Sequence, residues 1–173
     1  MNCLSFDVGG TTVKYGVIDE SYNILKKDKI PTPENEDEFI KSLSNIIREN
    51  LSNISIVSVA MPGYVNSANN KYSYGPHLQF DIDFSKLSNF TDYKFHLDND
   101  GNVAAYCEYF LNYKTKYSNL IMLTFGTGVG GGIISEGRLL RGRGNAGEIG
   151  HMLTSNDRDC LLYTSPSPRD DQT

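Results

Sequence analysis

The sequence predicts an α/β fold built on a sheet with a mixed edge, and two observations lead to this expectation. Alternating or β-branched segments are separated by segments of helical periodicity, in the order βββαβαβα followed by a β-turn-β unit. Ten of the 16 glycines fall between Gly126 and Gly150, which indicates sharp turns or a backbone that approaches a ligand closely. The helices between the strands argue against a β-sandwich.

Three strands are expected at the start of the chain. Residues 2–8 alternate, with Leu4, Phe6 and Val8 on one face. The pair Gly9-Gly10 marks a turn into a second strand over residues 13–18, and a third strand covers residues 22–30. The first two strands should form a hairpin.

A helix should begin after Asn35, which is a suitable cap. Three acidic residues follow at the positive end of the helix dipole, and Glu38 stands at the capping-box position. Apolar residues at helical spacing follow: Phe39, Ile40, Leu43, Ile46, Ile47 and Leu51. The nearly continuous apolar run 54–61 predicts a strand buried on both faces, ended by Pro62-Gly63.

The remaining elements alternate between helix and strand. Residues 64–80 are polar and rich in tyrosine, which favours a loop or an edge hairpin. A short helix is expected at 84–90, a strand at 93–97 and a helix at 102–113, followed by strands at 119–125 and around Ile133-Ile134. The helix at 102–113 should direct four residues inward: Val103, Cys107, Phe110 and Leu111.

Composition excludes several functional classes. The net charge of −5 and the lack of a basic run argue against a nucleic-acid partner. No apolar run approaches the roughly 20 residues of a membrane helix, and the first residues do not resemble a signal peptide. Three cysteines make no even framework, so reduced thiols and a cytoplasmic location are expected.

Two glycine turns are candidate phosphate-binding sites. The first is Asp7-Val8-Gly9-Gly10-Thr11-Thr12 with Lys14, where backbone N–H groups and hydroxyls can bind phosphate oxygens and Asp7 can hold Mg²⁺. An ordinary glycine hairpin is an equal alternative for this segment taken alone. The second is Gly126-Thr127-Gly128, which also lies between strands and matches neither a P-loop nor a Rossmann turn. Together they suggest an internal duplication that grips one polyphosphate from two sides.

Two further segments carry polar candidates. In Asp98-Asn99-Asp100-Gly101-Asn102, acidic and amide residues are ordinary helix caps, but Asp100 lies between the two glycine turns in sequence and could accept a proton from an attacking hydroxyl. Glu148 and His151 are three residues apart and should share one face of a helical turn, where they could bind neighbouring sugar hydroxyls. For His151 alone, an ordinary loop histidine is the alternative.

Four ordered motifs resemble those of the ROK family, which comprises repressors, open reading frames and sugar kinases. The motifs are Asp7-Val8-Gly9-Gly10-Thr11, Asn99-Asp100-Gly101-Asn102-Val103-Ala104-Ala105, Gly126-Thr127-Gly128-Val129-Gly130-Gly131-Gly132 and Gly147-Glu148-Ile149-Gly150-His151-Met152. The resemblance covers residues 2 to about 153. It implies the actin-like ATPase fold of hexokinase type, with RNase H-like domains, and ATP- and Mg²⁺-dependent phosphorylation of a hexose or N-acyl hexosamine.

The resemblance also implies roles for single residues. Asp7, Gly9, Gly10 and Thr11, with Thr12 and Lys14, would serve one phosphate site, and Gly126, Thr127 and Gly128 the other. Asn99 and Asp100 would hold the sugar, with Asp100 as catalytic base. The remaining substrate-binding candidates are Gly63, His77, Glu148 and His151.

The chain departs from the family pattern in two places. Pro76-His77-Leu78 stands where many members have Pro-Asn-Leu. His151 and Cys160 could begin the structural zinc site of many members, but Leu162 stands where the next cysteine is expected. A tetrahedral site needs four ligands, so the native sequence is expected to stop near Cys160 and to leave a truncated kinase.

The expected organisation is an N-terminal domain over residues 1–116, the start of a C-terminal domain over 117–160 and a non-native tail over 161–173, for which an ordinary disordered C-terminus is the alternative. The fragment should be inactive, and the full-length protein a cytoplasmic homo-oligomer. One alternative is a sugar-sensing ROK repressor, which carries a DNA-binding domain before the first motif. That motif starts six residues after Met1, which leaves no room for it. The other alternative is a non-catalytic actin-like ATP-binding module. Such a module needs neither a base nor sugar ligands, so Asp100 and the Glu148–His151 pair argue against it.

Overall fold

The computed structural model describes residues 1–73, 75, 78–87, 92–126 and 128–152. The chain divides into two compact units, Met1–Asp100 and Gly101–Thr173. The expected domain boundary after residue 116 stays a prediction.

A five-stranded mixed sheet forms the centre of the first unit. The elements of this unit, in chain order, are β1 (Cys3–Val8), β2 (Thr12–Ile18), β3 (Ile24–Pro31), α1 (Glu36–Asn50), β4 (Ile56–Met61), β5 (Val65–Asn66), β6 (Lys71–Tyr72), β7 (Ile82–Asp83) and β8 (Lys94–Asn99). The large sheet has the order β3-β2-β1-β4-β8, and β5, β6 and β7 form a small second sheet. Strand β1 is antiparallel to β2 and parallel to β4, and β4 is parallel to β8. The predicted strands and the edge hairpin are confirmed.

Helix α1 covers one face of the large sheet, as its periodicity predicts. The Asn35 side chain accepts a hydrogen bond of 2.9 Å from the Glu38 N–H, which satisfies one of the unpaired donors at the helix start. Phe39 and Leu43 are fully buried in the core shared by helix and sheet. Phe39 meets Phe84 edge-to-face, with ring centroids 6.0 Å apart, an arrangement that adds to the energy of burial alone.

The opposite face of the sheet differs from expectation. In β4, Val57, Val59 and Met61 are buried, but alternate residues such as Ser58 are only half-buried. The prediction of burial on both faces is therefore wrong for the described residues, because α1 covers only one of them. On the half-buried face, the hydroxyls of Ser5 and Ser58 lie 2.7 Å apart.

The second unit joins a helix to a glycine-rich sheet. Helix α2 (Asp100–Glu108) begins at the last residue of the first unit and continues into a π-helical turn over Tyr109–Tyr113. Strands β9 (Leu120–Phe125), β10 (Val129–Ser135) and β11 (Arg138–Leu139) form an antiparallel sheet in the order β11-β10-β9. A 3-10 turn follows at Ile149–His151.

The predicted inward face of the helix over 102–113 is wrong for three of its four residues. Val103 is 42% exposed, Leu111 of the π-helical turn is 50% exposed and Cys107 is also exposed, whereas Phe110 is half-buried. The buried residues of α2 and its π-helical turn are instead small or lie on another face: Gly101, Asn102, Ala105 and Tyr109. A Cβ on Gly132 of β10 would lie 2.5 Å from the Ala105 Cβ. The helix therefore approaches the strand too closely for a large side chain to fit between them.

The expected helix at 84–90 is a 3-10 turn over Phe84–Lys86, and residues 88–90 lie outside the described part. Within the described ranges, no helix is long and apolar enough to cross a bilayer.

Candidate functional site

Three parallel strands of the first unit end at the same edge of the large sheet. Asp7 of β1 pairs in register with Ala60 of β4, which pairs with Asp98 of β8. With strands about 4.8 Å apart, the Cα atoms of Asp7 and Asp98 are separated by about 10 Å. The first glycine turn, Gly63 and Asn99 all lie at these strand ends. Ligands of open α/β sheets bind at the carboxyl ends of strands, so this edge is the candidate site of the first unit.

The first glycine turn presents unpaired N–H donors. The Gly9 N–H donates to the Thr12 carbonyl over 3.0 Å and closes the turn between β1 and β2. A Cβ on Gly9 would lie 3.2 Å from the same oxygen. Gly10 and Thr11 are exposed, and neither backbone N–H donates a hydrogen bond within the described part of the chain. Adjacent unpaired N–H groups suit an anion such as phosphate.

Asp7 and Lys14 lie opposite each other on β1 and β2. The Asp7 Oδ2 and Lys14 Nζ atoms are 3.7 Å apart, and the two side chains are 60% and 70% exposed. An ion pair this exposed contributes little to stability, so either group can leave its partner for a ligand at small cost. A carboxylate oxygen suits Mg²⁺ and an ammonium suits phosphate, so both residues fit the groups that the sequence predicts here.

Asn99 joins the ends of β4 and β8. Its side-chain Nδ2 donates to the Gly63 carbonyl over 3.0 Å, and only 7% of Asn99 is exposed. Gly63 has a φ of +79°, a conformation that favours glycine. The next residue after Asn99 is Asp100, which begins α2 and is exposed. Two of the predicted sugar-binding residues, Asn99 and Gly63, are therefore in direct contact, and Asp100 is adjacent in the chain.

The second glycine turn connects β9 to β10. The Gly126 N–H donates to the Gly128 carbonyl over 2.9 Å, and Phe125 pairs with Val129 across the hairpin. A Cβ on Gly126 would meet nothing within 4 Å. Packing within the described second unit thus leaves open space over Gly126, which is consistent with a turn that accepts a ligand.

Glu148 and His151 lie on a segment that rests directly on β10. The Glu148 Oε2 and His151 Nε2 atoms are 3.8 Å apart; Glu148 immediately precedes the 3-10 turn that His151 ends. A Cβ on Gly147 would lie 2.6 Å from the Gly131 carbonyl oxygen, and one on Gly150 would lie 2.0 Å from that of Val129. Only glycine permits this contact between backbones, which positions the carboxylate and the imidazole relative to the strand.

A model of the ROK family matches residues 3–161. The chain belongs to the ROK family. It is 32% identical to the glucokinase of Streptomyces coelicolor over 154 residues, which make up 86% of this chain and 49% of the glucokinase. It is 34% identical to the N-acetylmannosamine kinase of Vibrio cholerae over 158 residues, 88% of this chain and 54% of that kinase. The chain thus spans about half the length of these curated relatives.

Solved structures confirm the predicted fold. The ROK family glucokinase of Streptomyces griseus, in complex with glucose and AMPPNP, has a TM-score of 0.80 at 27% identity, over 98% of this chain and 58% of that one. A ROK family transcriptional regulator, a homologue of the E. coli MLC protein, has a TM-score of 0.83 at 21% identity, over 99% of this chain and 48% of the regulator; that likeness shows the fold alone. The predicted actin-like ATPase fold is confirmed.

Several predicted residues of this ROK chain lie outside the described part, namely His77, Thr127 and Cys160. Within the described ranges, no three His, Cys, Asp or Glu side chains form a group that could hold a metal ion. The zinc site of His151 and Cys160 therefore stays a prediction.

One residue that binds the first turn was not predicted from the sequence. Thr32 follows β3, and its Oγ1 donates to the Gly9 carbonyl over 2.7 Å while its N–H donates to the Thr11 carbonyl over 3.1 Å. Thr32, which precedes Pro33, is not part of any of the sequence motifs above. The contact becomes visible only when the pairing of the strands is known. A surface depression beside Thr32 is lined by Pro31–Glu34 and one side of α1, and contains none of the predicted site residues.

Proposed function

We propose that the full-length gene product is an ATP-dependent sugar kinase that phosphorylates a hydroxyl of a hexose or an N-acyl hexosamine. The observation that supports this proposal most strongly is the carboxyl edge of the large sheet, where the first glycine turn and the Asn99–Asp100 pair lie at the ends of β1 and β8, the two parallel strands on either side of β4. Donors for phosphate and a carboxylate for proton transfer thus lie at one edge of one sheet. The names of the curated relatives agree with this reaction class.

The first turn would bind the phosphates of the nucleotide. Gly10 and Thr11 offer backbone N–H groups, and Lys14 an ammonium that is bound only weakly by Asp7. ATP would supply the phosphoryl group, and a bound Mg²⁺ would shield the phosphate charge. Asp7 would hold the metal, and the second turn, with Gly126, Thr127 and Gly128, is the other proposed phosphate ligand. Stabilisation of charge by fixed donors is a main source of catalysis in phosphoryl transfer.

The sugar would be held by polar side chains. The Gly63 carbonyl fixes the amide of Asn99, which limits its rotation before the sugar binds. Asp100 would accept the proton of the attacking hydroxyl. Glu148 and His151, whose segment is fixed on β10, are proposed ligands of further hydroxyls, and His77 is a further proposed sugar ligand.

Substitution of Asp100 tests this function. In the full-length gene product, an ADP-coupled assay with glucose, N-acetylmannosamine and a β-glucoside should show ATP-dependent turnover of at least one sugar. Asp100→Asn should lower kcat by roughly 10²–10⁴-fold, the usual contribution of a general base, with a smaller change in KM for the sugar.

Asp37→Asn is the matched control, because Asp37 is also an exposed carboxylate in the first turn of a helix. It should leave kcat unchanged. Turnover near the wild-type value in Asp100→Asn would remove Asp100 as the base, and no turnover or nucleotide binding in the wild type would refute the proposed activity.

A further inference from the structure

We infer that Thr32 is a positioning residue for the first glycine turn and sets the direction of the phosphate-binding Gly10 N–H. This inference rests on the proposed function, because it assumes that the turn binds phosphate. Thr32 makes two hydrogen bonds to the turn, from its hydroxyl to the Gly9 carbonyl at 2.7 Å and from its N–H to the Thr11 carbonyl at 3.1 Å. The hydroxyl bond is partly buried.

The connection arises from the order of the strands. Strand β3 pairs with β2, and Thr12 lies opposite Pro31 at the end of that pairing. The next residue, Thr32, therefore extends past the strand end and reaches the turn between β1 and β2.

The planarity of the peptide bond explains how the contact between Thr32 and the Gly9 carbonyl orients an N–H group of the turn. In a planar trans peptide, the carbonyl of one residue and the N–H of the next point in opposite directions. When Thr32 holds the Gly9 carbonyl, the Gly10 N–H must point away from Thr32. The bond to the Thr11 carbonyl holds the next peptide of the turn, between Thr11 and Thr12, in the same manner. Thr32 thus orients the Gly10 donor directly and restrains the chain on the far side of Thr11.

The two glycines make such a restraint necessary. Glycine adopts positive and negative φ with similar ease, so the peptide between Gly9 and Gly10 can flip with little resistance from the backbone. A flipped peptide would replace the Gly10 N–H by a carbonyl oxygen, which repels phosphate. The Thr32 hydroxyl bond favours the orientation that presents the donor.

A pair of substitutions separates the hydroxyl from the shape of the side chain. Thr32→Val keeps the shape and the backbone N–H but removes the hydroxyl, whereas Thr32→Ser keeps the hydroxyl. In the full-length gene product, Thr32→Val should raise KM for ATP by about fivefold or more, the effect of one hydrogen bond. The value of KM for the sugar should change by less than about twofold, and Thr32→Ser should restore the wild-type KM for ATP.

Two further measurements complete the experiment. Thr115→Val makes the same replacement on an exposed turn and should leave both KM values unchanged. Amide NMR of the 173-residue chain should show the Gly10 resonance shifted in Thr32→Val and restored in Thr32→Ser, with or without nucleotide. This readout follows the conformation of the turn independently of turnover.

The outcomes are distinct. An active enzyme whose Thr32→Val variant keeps the wild-type KM for ATP overturns the inference and leaves the proposed function intact, and so does a Thr32→Ser variant as impaired as Thr32→Val. A wild-type protein that neither binds ATP nor phosphorylates a sugar refutes the proposed function, and the inference fails with it.

Discussion

The contact between Gly132 and α2 gives a stability prediction that can be worked from distances. A Cβ on Gly132 would lie 2.5 Å from the Ala105 Cβ and 3.0 Å from the Gly101 carbonyl oxygen. Non-bonded carbon atoms prefer separations of about 3.5–4.0 Å. The substitution Gly132→Ala therefore requires a displacement of about 1 Å between strand and helix backbone, since neither contact is with a flexible side chain.

Overpacking of this kind costs about 1–3 kcal/mol. For a chain of this length each kcal/mol corresponds to about 2–4 °C in Tm, so Gly132→Ala should lower Tm by about 2–12 °C. Gly126→Ala is the matched control, because its Cβ would meet nothing within 4 Å. Its free energy of unfolding should stay within about 0.5 kcal/mol of the wild type.

A double-mutant cycle identifies the atoms responsible. Ala105→Gly alone should cost about 1 kcal/mol through helix propensity. In the double variant the methyl group moves from helix to strand, and the 2.5 Å contact disappears. Urea unfolding should be measured for the wild type, the two single variants and the double variant. The double variant should be at least about 1 kcal/mol more stable than the sum of the two single-variant losses predicts.

Additivity within about 0.5 kcal/mol would refute this explanation, because the cost of Gly132→Ala would then not arise from the Ala105 methyl. A Gly132→Ala protein as stable as Gly126→Ala would show that strand and helix separate freely.

Two other predictions concern stability and activity. The pKa of Glu36 is lowered chiefly by its side-chain hydrogen bond to Lys86 and also by the Asp83 N–H. The ionised carboxylate therefore stabilises the fold at pH values above the unfolded pKa of about 4.3. This stabilisation is lost as the pH falls through the lower pKa of the folded state. Thermal melts should show Glu36→Gln less stable than the wild type at pH 7, with the difference in stability narrowing as the pH falls below about 4.3. A difference that does not change with pH would contradict this assignment. The 173-residue chain should show no sugar kinase turnover in the coupled assay, because it spans about half the length of its kinase relatives, and turnover above a no-enzyme control that Asp100→Asn abolishes would show that this length suffices.

The sequence predicts most reliably where one physical effect dominates. In α1, the cap at Asn35 and the apolar spacing from Phe39 onward agree, and the structure has both. In α2, large apolar residues such as Val103 and Leu111 suggested the wrong inward face. The close approach of a glycine strand decides the packing of that helix, and glycine spacing in one strand does not reveal which helix lies against it.

The candidate site also has some features that the sequence predicts and others that it does not. Asp7 and the first glycine turn could be found in sequence because strand, turn and strand are contiguous. The bond from Asn99 to Gly63 and the bonds from Thr32 depend on strand pairing between distant segments, which no local pattern encodes. The half-buried face of β4 was not predicted for a related reason. An apolar run of residues does not show whether one face or both faces of a strand are covered by other elements.

The strand order also has a consequence for the sequence of folding events. The first turn and its Thr32 contact need only the hairpins β1–β2 and β2–β3, whose partners are close along the chain. The carboxyl edge needs the parallel pairings of Asp7 with Ala60 and of Ala60 with Asp98, which close much longer loops. Contacts between distant residues form slowly because loop-closure entropy is lost before they are gained. During synthesis the phosphate turn can thus be complete while the strand that ends at Asn99 is still being made.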